Sequence, residues 1–128
     1  MNDDGQALVE FALVLPILLL LAFAMVQLAD LGVARLALEH AAAEGARTGA
    51  LTNDDELIRD SVAAAANPLS PSQVEVEIVP SEADVPRSGD PRGSLIRVHL
   101  RYVLALAIPG LPPLEARASA TRRIEWTP

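Results

Sequence analysis

The sequence predicts an α+β fold: a long N-terminal helix with a transmembrane half and an amphipathic half, a short second helix, and a three-stranded antiparallel sheet. Three observations carry this expectation. Phe11 to Val26 is an unbroken run of sixteen residues without a charged or hydrogen-bonding side chain. Beyond residue 72 the apolar spacing changes from helical to strict alternation. Between these regimes, and between the alternating stretches, lie clusters of Pro, Gly, Asn and Ser that mark turns.

The apolar run comes first. With Gln27 tolerated it extends through Leu28 and Ala29, close to the ~20 residues that a helix needs to cross a ~30 Å hydrocarbon layer. Each Leu, Ile, Val or Phe near the bilayer centre contributes roughly −0.3 to −0.6 kcal/mol to insertion, which outweighs one Gln. Roughly a hundred residues are then left to form one small domain. The competing reading, a secretory signal peptide, requires a basic leader and a shorter apolar core, whereas Met1-Asn2-Asp3-Asp4 is acidic. A soluble enzyme would have to bury the whole run as a core helix.

Helical spacing persists past the run. Leu31, Ala34, Leu38, Ala41, Ala42 and Gly45 fall on one face, opposite Asp30, Arg35, Glu39, His40, Glu44 and Arg47. The helix is therefore expected from about Gln6 to Arg47, roughly 60 Å at 1.5 Å per residue, with residues 31–47 continuing it outside the membrane. Pro16 lies inside it and cannot donate to the Ala12 carbonyl, which predicts a kink or local melting there, the alternative being that it is simply tolerated, as prolines often are in membrane helices. The small residues of the packing face admit another backbone, either that of the domain's own sheet or that of a neighbouring helix. Gly49 is the expected stop. Asn53 and Glu56 have capping-box spacing for a second helix over 54–66, ended by Asn67-Pro68.

Strands follow at about 73–79, 94–106 and 114–126. Val74, Val76 and Ile78 alternate with Gln73, Glu75 and Glu77, and Ile96, Val98, Leu100 and Tyr102 alternate with Arg97, His99 and Arg101. This places Glu75 and Glu77 opposite Arg97 and Arg101. In the third strand, Ala116, Ala118 and Ala120 are small enough for the long helix to approach, and Arg122 interrupts the apolar face as a bulge or edge. The stretch Val103 to Ile108 is apolar on both faces. Its expected state is coverage within the domain, the alternative being that Leu104, Leu106 and Leu111 touch a neighbouring subunit.

Composition narrows the function. Net charge is −7 and all ten basic residues are Arg, with only Arg122 and Arg123 adjacent, a poor match to a phosphate backbone. No nucleic-acid partner is expected. With no cysteine, a thiolate metal site is unavailable. His40 and His99 stand on exposed faces of different elements, and no nucleophile-base pair or phosphate loop is present. The acidic loop with Glu82, Asp84 and Asp90 lacks EF-hand spacing. The expectation is a protein that is not an enzyme and has no cofactor and no metal.

What remains is the front edge of the apolar run. Gly5 closes a short polar leader, Gln6 follows, and Glu10 sets one carboxylate against the lipid-bound segment, where an unpaired charge is costly. A Gly followed five positions on by Glu and then by an apolar helix is similar to a type IV prepilin processing site. The strings GQALVEFALVLP and EGARTGA resemble the TadE-like pseudopilins of tight-adherence (Flp) pilus systems, and the closing ARASATRRIEW resembles that family's last strand. The resemblance implies a pilin-like architecture, with residues 1–5 as leader, 6–30 as membrane span and 31–128 as the extracytoplasmic domain. It implies cleavage between Gly5 and Gln6 by a prepilin peptidase, and a role for Glu10 in neutralising the Gln6 amine of a neighbouring subunit. Its partners would be membrane lipid, the peptidase, other pilins or pseudopilins and the pilus assembly platform. Its place would be the cytoplasmic (inner) membrane, N-terminus inside, with later incorporation in an extracellular pilus.

Overall fold

The computed structural model describes residues 3–107 and 110–127. Two helices precede three strands: α1 (Asp3–Thr52), α2 (Asp55–Ala65), β1 (Val74–Val79), β2 (Leu95–Leu104) and β3 (Leu114–Arg123), with a single 3-10 turn at Pro71–Gln73 ahead of β1. The chain divides into two compact units, Met1–Asp30 and Leu31–Pro128. The fold is α+β, and its sheet is antiparallel throughout in the order β1-β2-β3.

The described residues of the first unit, 3–30, are all helix. Its apolar window has a mean hydropathy of 2.6 and none of it is buried, so Leu13, Ile17, Leu20 and Leu21 are all exposed. An exposed apolar surface of this size marks a site of contact with a membrane or with another protein. The helix is long and apolar enough to cross a membrane. The helical assignment runs without interruption across Pro16.

In the second unit, α1 packs its small-residue face on a core of Leu38, Ala41, Ala42, Ala46, Ile58, Val62, Ile78, Ile96, Val98, Leu100, Ala116 and Ile124. Here α1 runs five residues beyond the expected Arg47, to Thr52. Gly49 is not its stop. An ideal Cβ on Gly49 would lie 2.7 Å from Ile58 Cδ1 and 2.8 Å from Ile96 Cδ1, so the residue is small because two elements close over it. The stop is Asn53, in the left-handed region at φ 52°, which Asn tolerates better than most side chains. Its N–H donates to Gly49 O at 3.0 Å.

The expected capping box is also displaced by one residue. Asp54, with φ −122° and ψ 121°, caps α2 by accepting from the N–H groups of Glu56 and Leu57 at 2.8 and 3.1 Å. Asn53 cannot serve, because its side chain is held by Arg87.

The strands are shorter than expected at their ends, and their register corrects one cross-strand pairing. Glu75 does face Arg101, at 3.4 Å between charged atoms, but Glu77 faces His99, and Arg97 lies opposite Val79. Arg122 pairs in register with Ile96, without a bulge; β3 ends one residue later. Of the alanines of β3, Ala116 is buried in the core that α1 packs on, and Ala118 and Ala120 pack against that core. Ala118 and Ala120 are only half-buried and line an open groove with Arg35, Glu39 and Ala43. The tight contact is made by Gly45 and Gly49 against α2 and β2.

The expectation of coverage after Tyr102 fails. Val103 is 46% exposed, Leu111 51% and Leu114 36%, while Leu104 and Leu106 are half-buried. β2 and β3 form a two-stranded ribbon here that projects past the core residues Leu100 and Ala116, so side chains on either face find little to pack on. Ile108, the last residue of that run, lies outside the described residues.

Candidate functional site

At the start of α1, Gly5 sits in regular helix with nothing within 4 Å of where a Cβ would stand. Glycine costs about 1 kcal/mol relative to alanine inside a helix, and no close approach offsets that here. Gln6 and Glu10 are one turn apart on the same face. Gln6 Nε2 donates to Glu10 Oε1 at 3.4 Å, a long hydrogen bond between exposed groups. The structure thus brings Gly5, Gln6 and Glu10 to one end of an exposed apolar helix, and Pro16 lies further along that helix.

The packing-face residues are placed elsewhere. Ala34, Leu38, Ala41, Ala42 and Gly45 are buried inside the second unit, and Leu31 packs against the edge of its core. This face is occupied by the chain's own α2 and sheet. Sequence periodicity found the face but not its full extent: Ala37, Ala46, Gly49 and Ala50 are buried as well.

Sequence reasoning missed the most enclosed charge in the molecule. Arg87, in the Pro-rich loop between β1 and β2, is 2% exposed. Its Nε donates to Asn53 Oδ1 at 2.9 Å, and its Nη1 donates to Asp55 Oδ1 at 2.5 Å and to Pro80 O at 2.8 Å. Asn53 Nδ2 in turn donates to Arg87 O at 3.1 Å. Arg87 therefore ties the loop to the α1–α2 junction, and only the Nη2 atom lacks a partner. Nearby, Glu82 and Asp55 accept each other's backbone N–H, at 2.9 and 3.1 Å, and Asp84 accepts from Ser81 Oγ at 2.8 Å. These carboxylates serve loop geometry. Asp90, the third member of the acidic loop, is exposed.

No group of three or more His, Asp or Glu among the described residues is arranged to hold a metal. His40 is exposed on α1, whereas His99 is half-buried, facing Glu77 on one neighbouring strand and Ser119 on the other. On the outer face of the sheet Arg101 and Arg117 are register partners, a like-charge pair. Glu115 lies between them, accepting from Arg117 Nε at 2.8 Å and pairing with Arg101. The Arg117 hydrogen bond, with help from the Arg101 charge and against partial desolvation, holds the Glu115 carboxyl below its ordinary range.

A family model described as "TadE-like protein" matches residues 5–47. No curated protein and no solved structure matches the chain. The matched segment begins at Gly5, includes Gln6, Glu10 and Pro16, and ends at Arg47, just short of the buried Gly49 and Ala50 and before α2 and the sheet. Residues 5–47 are therefore similar to the TadE-like family model, and this stretch holds every residue of the candidate site.

Proposed function

We propose that the protein is a minor pilin or pseudopilin that takes part in assembly of a tight-adherence pilus or a related secretion filament. The observation that carries this reading is the conjunction at the head of α1: a glycine that no packing requires, a carboxylate one turn beyond Gln6, and a wholly uncovered apolar helix behind them, all within the TadE-like match. The chain inserts with its N-terminus in the cytoplasm. A prepilin peptidase hydrolyses the Gly5–Gln6 peptide bond, releasing residues 1–5 with a new carboxylate and leaving a protonated amine on Gln6. That amine and the Glu10 carboxylate of an adjacent subunit neutralise each other. A charge at the centre of a bilayer costs about 2.5–3.5 kcal/mol on insertion scales and less toward the edge, where Gln6 and Glu10 stand, so removing two lone charges at once still favours transfer from lipid into a bundle of like helices. In this scheme the protein is the peptidase's substrate.

Replacing Gly5 with Leu is expected to leave an uncut precursor in the membrane, seen as a larger species on immunoblots of membrane fractions. Normal processing of that variant would refute the cleavage site. Glu10→Leu is expected to leave membrane insertion intact while reducing filament incorporation by about an order of magnitude, the effect of a loss of about 1.4 kcal/mol, below the full cost of an unpaired charge at the bilayer centre because Glu10 stands at the edge of the span. Wild-type incorporation would remove Glu10 from the mechanism.

The acidic first turn, Asp3 and Asp4, favours a second reading. Prepilin leaders usually carry Lys or Arg before the Gly, and here there is none. Under that reading the chain is an uncleaved single-pass anchor that displays a small extracytoplasmic binding domain, and Gly5→Leu changes nothing.

A further inference from the structure

The two edges of the sheet are not alike. β1 stands at one and β3 at the other. Just past β3, Ile124 N–H donates to Ser94 O and Ile124 O accepts from Gly93 N–H, so the backbone groups of Ile124 point toward the β2 side. Successive residues of a strand turn these groups to alternate sides. Ala116, Ala118, Ala120 and Arg122 therefore bond β2 through their register partners, while Glu115, Arg117, Ser119, Thr121 and Arg123 turn theirs outward. Two contacts agree with this phase. Val76, in the same cross-strand row as Leu100 and Ala118, turns its carbonyl away from β2, and Arg59 Nη1 of α2 donates to it at 3.1 Å. Glu125, the next outward residue after Arg123, gives its N–H to Ala50 O at 2.8 Å. The edge of β1 is thus met by α2, and the edge of β3 is closed by the end of α1 only from Glu125 onward. Between Glu115 and Arg123, α1 approaches with Arg35, Glu39 and Ala43 across the open groove.

The free edge is also charged. In a chain of net charge −7, β2 and β3 together hold five of the ten arginines and a single carboxylate, Glu115. Arg101 and Arg117 share that carboxylate. Arg97, Arg122 and Arg123 have no carboxylate partner among the described residues; Arg97 donates to Thr121 Oγ1 and Arg123 to Gly93 O. Within the sheet the complementary arrangement exists, because acidic β1 sets Glu75 against Arg101 of β2. β3 has no such neighbour on its outer side.

We propose that the free edge of β3 binds an extended acidic segment of another protein as a fourth strand. The backbone of that segment pairs with Glu115, Arg117, Ser119, Thr121 and Arg123, and its carboxylates stand opposite Arg117 and Arg123 on the outer face, as Glu75 stands opposite Arg101. Main-chain pairing supplies affinity, and the arginines select the charge of the partner. The proposal uses only residues of the second unit and does not depend on whether the chain is cleaved.

The test uses the full chain in neutral detergent micelles and a synthetic peptide as long as β3 in which Glu alternates with Thr. One control peptide has Lys in place of Glu. Another carries methyl groups on alternate backbone nitrogens, which keeps the charges and removes the donors of one edge. Exchange of single amides is followed by NMR. With the Glu peptide bound, the N–H groups of Ser119, Thr121 and Arg123 are expected to exchange several-fold more slowly, while those of Ala120 and Arg122, already turned to β2, do not change. Arg123→Gln and added salt should each weaken binding several-fold. Ser119→Pro removes an outward N–H without taking a bond from the sheet, so it should abolish binding and leave the thermal melt near that of the wild type. Unchanged exchange with the Glu peptide at saturating concentration would overturn the proposal. So would a methylated peptide that binds as well as its parent, which means attraction without a strand, or a Lys peptide that does, which means pairing without charge selection. Protection of the same three amides that rises with protein concentration and needs no peptide would assign the edge to a second copy, and would overturn it too.

Discussion

Asp55→Ala is expected to destabilise the folded domain by about 3–5 kcal/mol, because it leaves the Arg87 guanidinium enclosed and without its counter-charge. Arg87 is almost wholly buried, whereas the Asp55 side chain is 18% exposed, so the two partners are not equivalent. Removing the arginine, as in Arg87→Met, leaves a carboxylate that retains some access to water, and should cost less. Against a total stability of about 5–15 kcal/mol for a small domain, the loss at Asp55 is a large share. It corresponds to a fall of roughly 15 °C or more in Tm for a domain of about this size. Trp126, the single tryptophan, reports the transition in detergent-solubilised protein. The double variant Asp55→Ala/Arg87→Met is expected to be more stable than Asp55→Ala alone, since the orphaned charge is gone. Simple additivity of the two losses would contradict the clamp.

Gly45→Val is expected to cost about 2–3 kcal/mol by overpacking. A Cβ on Gly45 would lie 2.6 Å from Val62 Cγ2, with Ile58 and Val98 at 3.5 and 3.6 Å. Val62 is β-branched and held by helical geometry to one main rotamer, so it has little freedom to withdraw. Gly32 provides the contrast on the same helix, since nothing lies within 4 Å of its Cβ position. There Gly32→Ala should raise stability by about 0.5–1 kcal/mol through helix propensity alone. Equal effects at the two glycines, measured by the same thermal melts, would mean that close packing is not why Gly45 is a glycine.

These two sites mark where sequence legibility ends. End signals, the capping-box spacing and Asn67-Pro68, located α2, and helical and strand periodicity located α1 and all three strands, because the apolar spacing of each records which face it buries. The face from Leu31 to Gly45 was visible for the same reason. Gly49 was misjudged as a stop because glycine has two uses, conformational freedom and absence of bulk. Only the neighbours, Ile58 and Ile96, distinguish them. Glu77 was paired with the wrong residue because alternation gives the face of each side chain but not the register of the strands. Arg87 gave no signal. Its partners Asn53 and Asp55 are 34 and 32 residues away, and an arginine in a loop of prolines and acids reads as solvated. The candidate site at Gly5, Gln6 and Glu10 was legible because it is local: its geometry is one turn of helix.

The central claim is that this helix head is cut and then changes surroundings. Its most direct test is the N-terminal residue of the protein isolated from native membranes, read by intact mass and N-terminal peptide sequencing. The account predicts a chain beginning at Gln6, with filament fractions enriched in that form. A membrane-bound population that begins uniformly at Met1 and never enters a filament would contradict it.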